Sequence, residues 1–328
     1  MIAVDCNGAD GGPAVVAEGA RRSGEQVLLF GPAAELTGHE HVVDAPVRIL
    51  GDEEPVRGVR SKPEASIVQA AKAVAEGRAD ALVSAGSTGP TLAAATLSVK
   101  RLRGVYRPAL AAVLPVPAGP VVLLDVGANA EVRTEHLVQF AYMGAAFVEA
   151  VTGDVRPSVG LLSVGEESGK GTPEVIAAHE RLKAGQLNFV GNVEGFDVPS
   201  ARVRVVVTDG FTGNVALKVM EGTSKVVGAG IREAIRSGPV STAGGLLIRR
   251  SVERFRAELD PEKVGGAILL GLRKPVVVAH GSFGPEGIAG AVRLARRAVD
   301  ERMVERAADS LRSAGVLRSA SAGSFASQ

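Results

Sequence analysis

Short apolar runs, most of them ending in a glycine-rich or aspartate-bearing turn, constrain this chain more than any other feature. They fall at 2–5, 27–31, 47–50, 81–86, 109–116, 121–127, 159–165, 189–195, 203–210 and 276–281. Continuous β-branched runs too short to be buried helices mark strands covered on both faces. Between many of them lie amphipathic stretches that read as helices. One spans 65–76, after Ser61-Lys62-Pro63-Glu64; others span 134–152 and 173–184, where Pro173 suits a first helical turn. Alternation at this spacing predicts an α/β fold, a doubly wound and mainly parallel sheet with helices on both faces. Such a fold needs many tight strand-to-helix turns. Glycine supplies 41 of the 328 residues, well above the usual ~7 %.

One segment breaks the alternation. Residues 215–260 carry no strand pattern and read as a protruding helical hairpin around Gly244-Gly245. Leu246, Leu247 and Ile248 follow that turn, then Arg249, Arg250, Arg254 and Arg256. Three apolar residues beside four arginines suit a tip that dips into an anionic membrane surface. Packing of the same residues on a partner subunit is the competing reading. The remainder reads as one α/β domain over 1–315, with a Ser/Ala-rich disordered tail at 316–328.

Composition excludes several functions. Lys and Arg total 37 against 36 Asp and Glu, so no basic excess is available to hold a nucleic acid. Aromatics are 3 % with no Trp, too few for base-stacking platforms. The single cysteine, Cys6, rules out an intrachain disulfide and any cysteine-cluster metal site, and suits a reducing compartment. No signal-peptide pattern precedes the first strand, and the longest apolar stretch, 108–126, is broken by Pro115, Pro117 and Pro120. A cytoplasmic protein is expected.

Ligands in open α/β sheets bind where strands end, so the polar turns are the candidate site. The first turn holds Asp5, Gly8 and Asp10; the second is Ser84-Ala85-Gly86-Ser87-Thr88-Gly89. Freed backbone N–H groups, hydroxyls and a following helix start suit a phosphate. Neither turn carries GxGxxG or GxxxxGK[ST], so dinucleotide and Walker-type readings lose their main support. A third turn, Asp125-Val126-Gly127-Ala128-Asn129, continues to Arg133, Glu135 and His136. In the fourth, Glu166 and Glu167 precede Ser168-Gly169-Lys170-Gly171, which suits a mobile loop whose ammonium neutralises an anion. A solvated charge run is its competing reading. Asp209-Gly210-Phe211-Thr212-Gly213-Asn214 opens the hairpin with Thr212 and Asn214 at a helix start, and His280 ends the last strand. There is no HExxH and no GxSxG. The loops converge on holding a phosphate against an acyl or carbonyl group, with no metal and no cofactor.

In this order, the loops resemble the bacterial phosphate acyltransferase family of phospholipid synthesis over residues 1 to about 300. The resemblance rests on Ile2-Ala3-Val4-Asp5 with Gly8 and Asp10, on 84–89, and on Leu124-Asp125-Val126-Gly127-Ala128-Asn129. It continues through 135–141, Gly165-Glu166-Glu167, Leu187-Asn188-Phe189, Gly191-Asn192-Val193-Glu194-Gly195 and 209–218. It implies transfer of an acyl chain from acyl-[acyl-carrier-protein] to inorganic phosphate, giving acyl phosphate for a downstream glycerol-3-phosphate acyltransferase. It further implies a Rossmann-like fold related to phosphotransacetylases and isopropylmalate dehydrogenases, a homodimer, and peripheral membrane attachment through the hairpin tip. The family's functional lysine and helix-starting asparagine fall on Lys170 and Asn214. Cys6, Asn7, Ala9, Gly11 and Gly12 depart from the family's first loop, whose histidine is missing, and Ile268 replaces a usual proline. An acyl-CoA-using phosphotransacylase and a catalytically impaired membrane-bound scaffold are the alternatives.

The expected mechanism is one shared site. Loop 84–89 holds phosphate with help from Asn129, Lys170 neutralises phosphate or the oxyanion, and Asn214 donates a hydrogen bond. Asp209 and His280 orient these groups.

Overall fold

A computed structural model describes residues 1–318 of the chain. The first half runs β1 (Ile2–Asp5), α1 (Pro13–Arg22), β2 (Val27–Gly31), β3 (Val42–Asp44), α2 (Pro55–Ser61), α3 (Ser66–Ala75), β4 (Ala81–Ser84), α4 (Thr88–Ser98) and β5 (Ala109–Leu114). It continues through β6 (Val121–Leu124), α5 (Thr134–Thr152), β7 (Ser158–Leu162), α6 (Pro173–Lys183), β8 (Asn188–Val193) and β9 (Val205–Val207). Two long helices follow, α7 (Gly210–Arg236) and α8 (Pro239–Glu258), then β10 (Ala267–Leu270), β11 (Val276–Val278), α9 (Pro285–Asp300) and α10 (Met303–Ser313).

All strands join one sheet in the order β3-β2-β1-β4-β11-β10-β5-β6-β9-β7-β8. Alternate residues of each strand feed two hydrophobic cores, one per face. Ile2 and Val4 pack with α1, α5 and α9 on one side, while Ala3 and Leu82 pack with α3 and α4 on the other. The doubly wound α/β expectation therefore holds. The order 3-2-1-4 puts a topological switch between β1 and β4, where a crevice must open.

Pairing is parallel at both ends of the sheet and antiparallel at β11–β10, β10–β5 and β5–β6. Three successive reversals turn one half of the sheet against the other. The carboxyl ends of β1, β4 and β11 leave one edge, and those of β6, β9 and β7 leave the opposite edge. This reversal decides where the site can be.

Three expectations need correction. The run at 47–50 is not a strand: Pro46 has no N–H to give, β2 is already taken by β3, and the Val47 carbonyl instead accepts the Ser66 N–H. The hairpin turns at Ser237-Gly238 ahead of Pro239, and Gly244-Gly245 lie inside α8. Gly245 is there because a Cβ would strike the Ile235 side chain of α7. Leu246, Leu247 and Ile248 are thus about 12 Å along α8 from the turn, at 1.5 Å per residue, and not at the tip. Val316 and Leu317 also pack against the core, and the Arg318 N–H donates to the Gly104 carbonyl. The rest of the expected tail, 319–328, lies outside the described residues.

The hairpin stands off the body. Along α7 only Gly210 and Gly213 are buried, and along α8 nothing is. Among the described residues, no helix is long and apolar enough to cross a membrane.

Candidate active site

At the β6 edge, Asp125 is fully buried and acts as a post around which the following loop turns. Its Oδ1 accepts N–H groups from Leu110 (3.0 Å), Gly127 (3.2 Å) and Ala128 (2.9 Å), and its Oδ2 accepts the Asn129 N–H (2.8 Å). Asn129 Nδ2 donates to the same Oδ2 (2.8 Å) and to the Pro108 carbonyl (2.7 Å). Burial pushes the Asp125 carboxyl above its usual range, opposed by these hydrogen bonds. Both hydrogens of the Asn129 amide are committed, so Asn129 holds the loop and has none left for phosphate.

The first turn of α7 is bolted to that loop. The Gly210 N–H donates to the Asn129 carbonyl at 2.7 Å. A Cβ at Gly213 would overlap the Asp125 carbonyl oxygen, so only glycine permits this approach. Asp209 caps the helix, accepting both the backbone N–H (2.8 Å) and the hydroxyl (2.7 Å) of Thr212. Asn214, one residue beyond Gly213, is exposed next to Gly127. Its side chain makes no hydrogen bond among the described residues.

On β7, next to β9 in the sheet, the loop bearing Lys170 is fastened and not free. Its Ser163 hydroxyl donates to the Lys170 carbonyl (3.0 Å), and buried Asn192 donates from Nδ2 to the Glu167 carbonyl (2.8 Å). Asn192 is itself held by His179, whose Nδ1 lies 2.9 Å from Asn192 Oδ1. The backbone of this glycine-rich loop is thus held by hydrogen bonds, while the Lys170 ammonium makes none among the described residues. Glu166 pairs with Arg202, which also reaches Asp197 at 3.2 Å. Glu166 thus braces the loop from outside.

Sequence reasoning passed over Arg107 at this pole and gave Arg133, named in the third turn, no role of its own. Arg107 lies between Tyr106, whose ring faces His136 at 5.8 Å, and Pro108, which receives Asn129. Arg133 closes the loop that follows β6, its N–H donating to His136 Nδ1 at 3.2 Å. Burial first, then the charges of Arg107 and Arg133, lowers the His136 proton affinity. Among the described residues neither arginine, nor Lys170, has a carboxylate within 4.0 Å. No spacing rule finds Arg107, because its place depends on β5 pairing with β6.

The other candidates gather at the opposite edge, in the β1/β4 crevice. Asp5 is buried, with its Oδ2 accepting the Ser84 hydroxyl (2.8 Å) and its Oδ1 the Asn7 N–H (3.3 Å). Ser84 Oγ in turn accepts from the Gly86 N–H (3.1 Å) and the Thr91 hydroxyl (3.2 Å). Burial lifts the Asp5 carboxyl to about 6 and pushes the Cys6 thiol upward. Gly8, at φ +100°, lets the first loop touch Gly86, where a Cβ would stand 2.9 Å from the Gly86 Cα. The Asp10 N–H ties this loop to the Gly281 carbonyl (2.8 Å), and His280 Nδ1 folds back onto the Ser282 hydroxyl (2.8 Å). Ser87, Thr88 and Gly89 start α4 above a cavity of ≈ 10 Å³ lined by Asp5, Arg48, Ser66, Ser87 and Thr91.

The candidates gathered in one site by the sequence reading thus leave the sheet at two edges. Ser84, Ser87, Thr88 and His280 leave one edge, while Lys170, Asp209, Thr212 and Asn214 leave the other. Four strand spacings separate β4 from β6, roughly 19 Å at ~4.8 Å each.

Comparison with known proteins then places the chain. A family model described as "Fatty acid synthesis protein" matches residues 1–306. A phosphate acyltransferase of Desulfitobacterium hafniense (strain Y51) is 40 % identical over 318 residues, covering 93 % of this chain and 95 % of that one. One from Thermobifida fusca (strain YX) is 42 % identical over 321 residues, covering 93 % and 89 %. Among solved structures, a phosphotransacetylase from Streptococcus pyogenes has a TM-score of 0.59 at 18 % identity, covering 92 % and 94 %. A branched-chain phosphotransacylase from Enterococcus faecalis V583 has a TM-score of 0.57 at 18 % identity, covering 91 % and 99 %. These two structures bear on the fold.

Proposed function

The chain belongs to the phosphate acyltransferase family, and from that premise we propose acyl-[acyl-carrier-protein] as its acyl donor and the Lys170/Asn214 pole as its reaction centre. It is an enzyme that transfers an acyl group to phosphate for phospholipid synthesis. The observation that carries the placement is the seating of Gly210 and Gly213 on the Asp125–Asn129 turn. That seating delivers Asn214 unpartnered beside Gly127, one strand from the Lys170 loop.

A phosphate oxygen attacks the thioester carbonyl carbon; the new C–O bond forms as the C–S bond breaks. The thiolate leaves with the electron pair and takes a proton from water. Phosphate is already anionic at neutral pH, so position and charge compensation matter more than a base. Lys170 neutralises the developing oxyanion and Asn214 donates its Nδ2–H to it. Asp209 and Thr212 fix the helix start, and Asp125 and Asn129 fix the turn beneath it.

The hairpin supports two further parts of the reading. On α7, Ala216, Leu217 and Met220 face the body, while Phe211, Val215, Val219 and Val226 form an exposed stripe that suits a second copy of the chain. On α8, Leu247 is 88 % exposed beside Leu246, Ile248, Arg249 and Arg250. That combination suits an anionic lipid surface, and a peripheral place on the membrane fits a lipid-bound product. The product, acyl phosphate, would pass to a glycerol-3-phosphate acyltransferase.

The test is phosphate-dependent release of free carrier protein from long-chain acyl-carrier protein, with acyl phosphate trapped as hydroxamate. Turnover that disappears without phosphate, and that acyl-CoA supports poorly, is the expected result. Equal turnover with acyl-CoA would remove the carrier protein from the reading.

A further inference from the structure

We propose that Arg107 and Arg133 hold the inorganic phosphate nucleophile, at the pole that carries Lys170 and Asn214 and not in the loop 84–89. This rests on the placement of the reaction centre above. Arg107 is fixed by its neighbours: the Tyr106 N–H donates to Gln139 Oε1 (2.9 Å), and the Pro108 carbonyl accepts Asn129 Nδ2 (2.7 Å). Arg133 ends the loop that follows β6, one residue before α5, and its own N–H is fixed on His136. The two guanidinium-bearing residues thus bracket the turn that Asn214 overlooks.

The charge balance at this turn calls for an anion. Asp125, the carboxylate inside the turn, is buried and saturated by its donors, so it has nothing left for an arginine. Glu135 leans towards Arg181 at 3.8 Å, and Glu131, exposed on the loop, pairs with neither arginine. Two guanidiniums without a carboxylate within 4.0 Å among the described residues, on the sheet edge that also carries the Lys170 loop, match a phosphate dianion in charge and in bidentate geometry. His136 adds a neutral donor. Its Nδ1 accepts from Arg133, which leaves the ring hydrogen on Nε2, and burial with the two arginines disfavours a second proton.

The crevice at the other edge offers a single cation in its lining, Arg48, against the two arginines here. Its cavity has room for about one water, and its floor is the Asp5 carboxyl, which repels an anion once ionised. Two of its hydroxyls are turned inward, Ser84 donating to Asp5 and Thr91 lying against Ser84, while Ser87 and Thr88 are exposed.

The decisive experiment is calorimetric binding of inorganic phosphate to the full chain without acyl donor, paired with KM for phosphate in turnover. Arg107→Ala and Arg133→Ala should each weaken phosphate binding about tenfold or more and raise its KM in step, with KM for the acyl donor unchanged. Arg107→Lys keeps the charge and loses the fork, so a severalfold weakening in a chain of wild-type melting temperature separates recognition from misfolding. Wild-type phosphate affinity in both alanine variants would overturn the proposal. So would loss of binding in a Ser87→Ala/Thr88→Ala variant while Arg107→Ala retains it. Failure of the underlying placement looks different, because Lys170→Ala would then turn over normally whatever the arginines do.

Discussion

The two edges of the sheet are built from the same materials and end in opposite states. At the β1/β4 edge the buried polar groups satisfy one another: Asp5, Gly86 and Thr91 all hydrogen-bond to Ser84 over a cavity of ≈ 10 Å³, with Arg48, Ser87 and Thr88 exposed above it. At the β6/β9/β7 edge the buried groups are also satisfied, Asp125 and Asn192 above all, but they serve as foundations. What stands on them, the side chains of Lys170, Asn214, Arg107 and Arg133, has no hydrogen-bond or ion-pair partner among the described residues. A crevice at a topological switch is a place where a ligand can bind. Unspent donors and charges on a fixed backbone show where one does. By that criterion the proposed chemistry falls at the second edge, although the first carries more of the sequence signals associated with phosphate.

The comparison is broken most forcefully at Asn214. Its removal takes away an oxyanion donor and nothing structural, so Asn214→Ala should lower kcat about 100-fold with an unchanged melting temperature. A comparable loss of stability instead would make Asn214 part of the foundation. At the opposite edge, the expected effect is on stability and pH. The Asp5 carboxyl is lifted from 3.8 to about 6, so the folded state holds that proton more tightly than the unfolded chain. The resulting stabilisation is complete below pH 3.8 and is lost as pH rises through about 6, a change of ~3 kcal/mol. Denaturant titrations of Asp5→Asn should show that slope flattened; an unchanged slope would mean that the carboxyl titrates normally.

Gly213→Ala sharpens the comparison from below. Its methyl group would force α7 off the Asp125 carbonyl, costing about 1–3 kcal/mol and displacing Asn214, so stability and turnover should fall together. The smallest effect belongs to Glu166. Its pair with Arg202 is solvent-exposed, and Glu166→Gln should change the unfolding free energy by less than about 1 kcal/mol. A large loss of activity there would return Glu166 to the reaction.

Most of the fold was legible because continuous apolar runs, glycine turns and amphipathic stretches agree locally. The misread parts are those set by partners distant in sequence. The run at 47–50 has the composition of a strand but no free edge to pair with. β10, at Ala267–Leu270, is a four-residue run directly behind Gly265-Gly266 that pairs antiparallel with β5 and β11, and the sequence reading does not include it. Gly244-Gly245 suggested a turn, whereas Gly245 marks where α8 touches Ile235 of α7. At the site, Lys170 and Asn214 were reached through motif order. Their separation from loop 84–89 was not, because it follows from three antiparallel pairings at the centre of the sheet. Arg107 stayed hidden for the same reason.

The most direct test of the central claim is the rate of hydroxamate-trapped acyl phosphate formed by Lys170→Ala, measured beside its melting curve. The ammonium is exposed and its loop is held by backbone and by Asn192, so the account predicts a loss well beyond tenfold at wild-type stability. Near-normal turnover would contradict it and move the reaction away from this edge of the sheet.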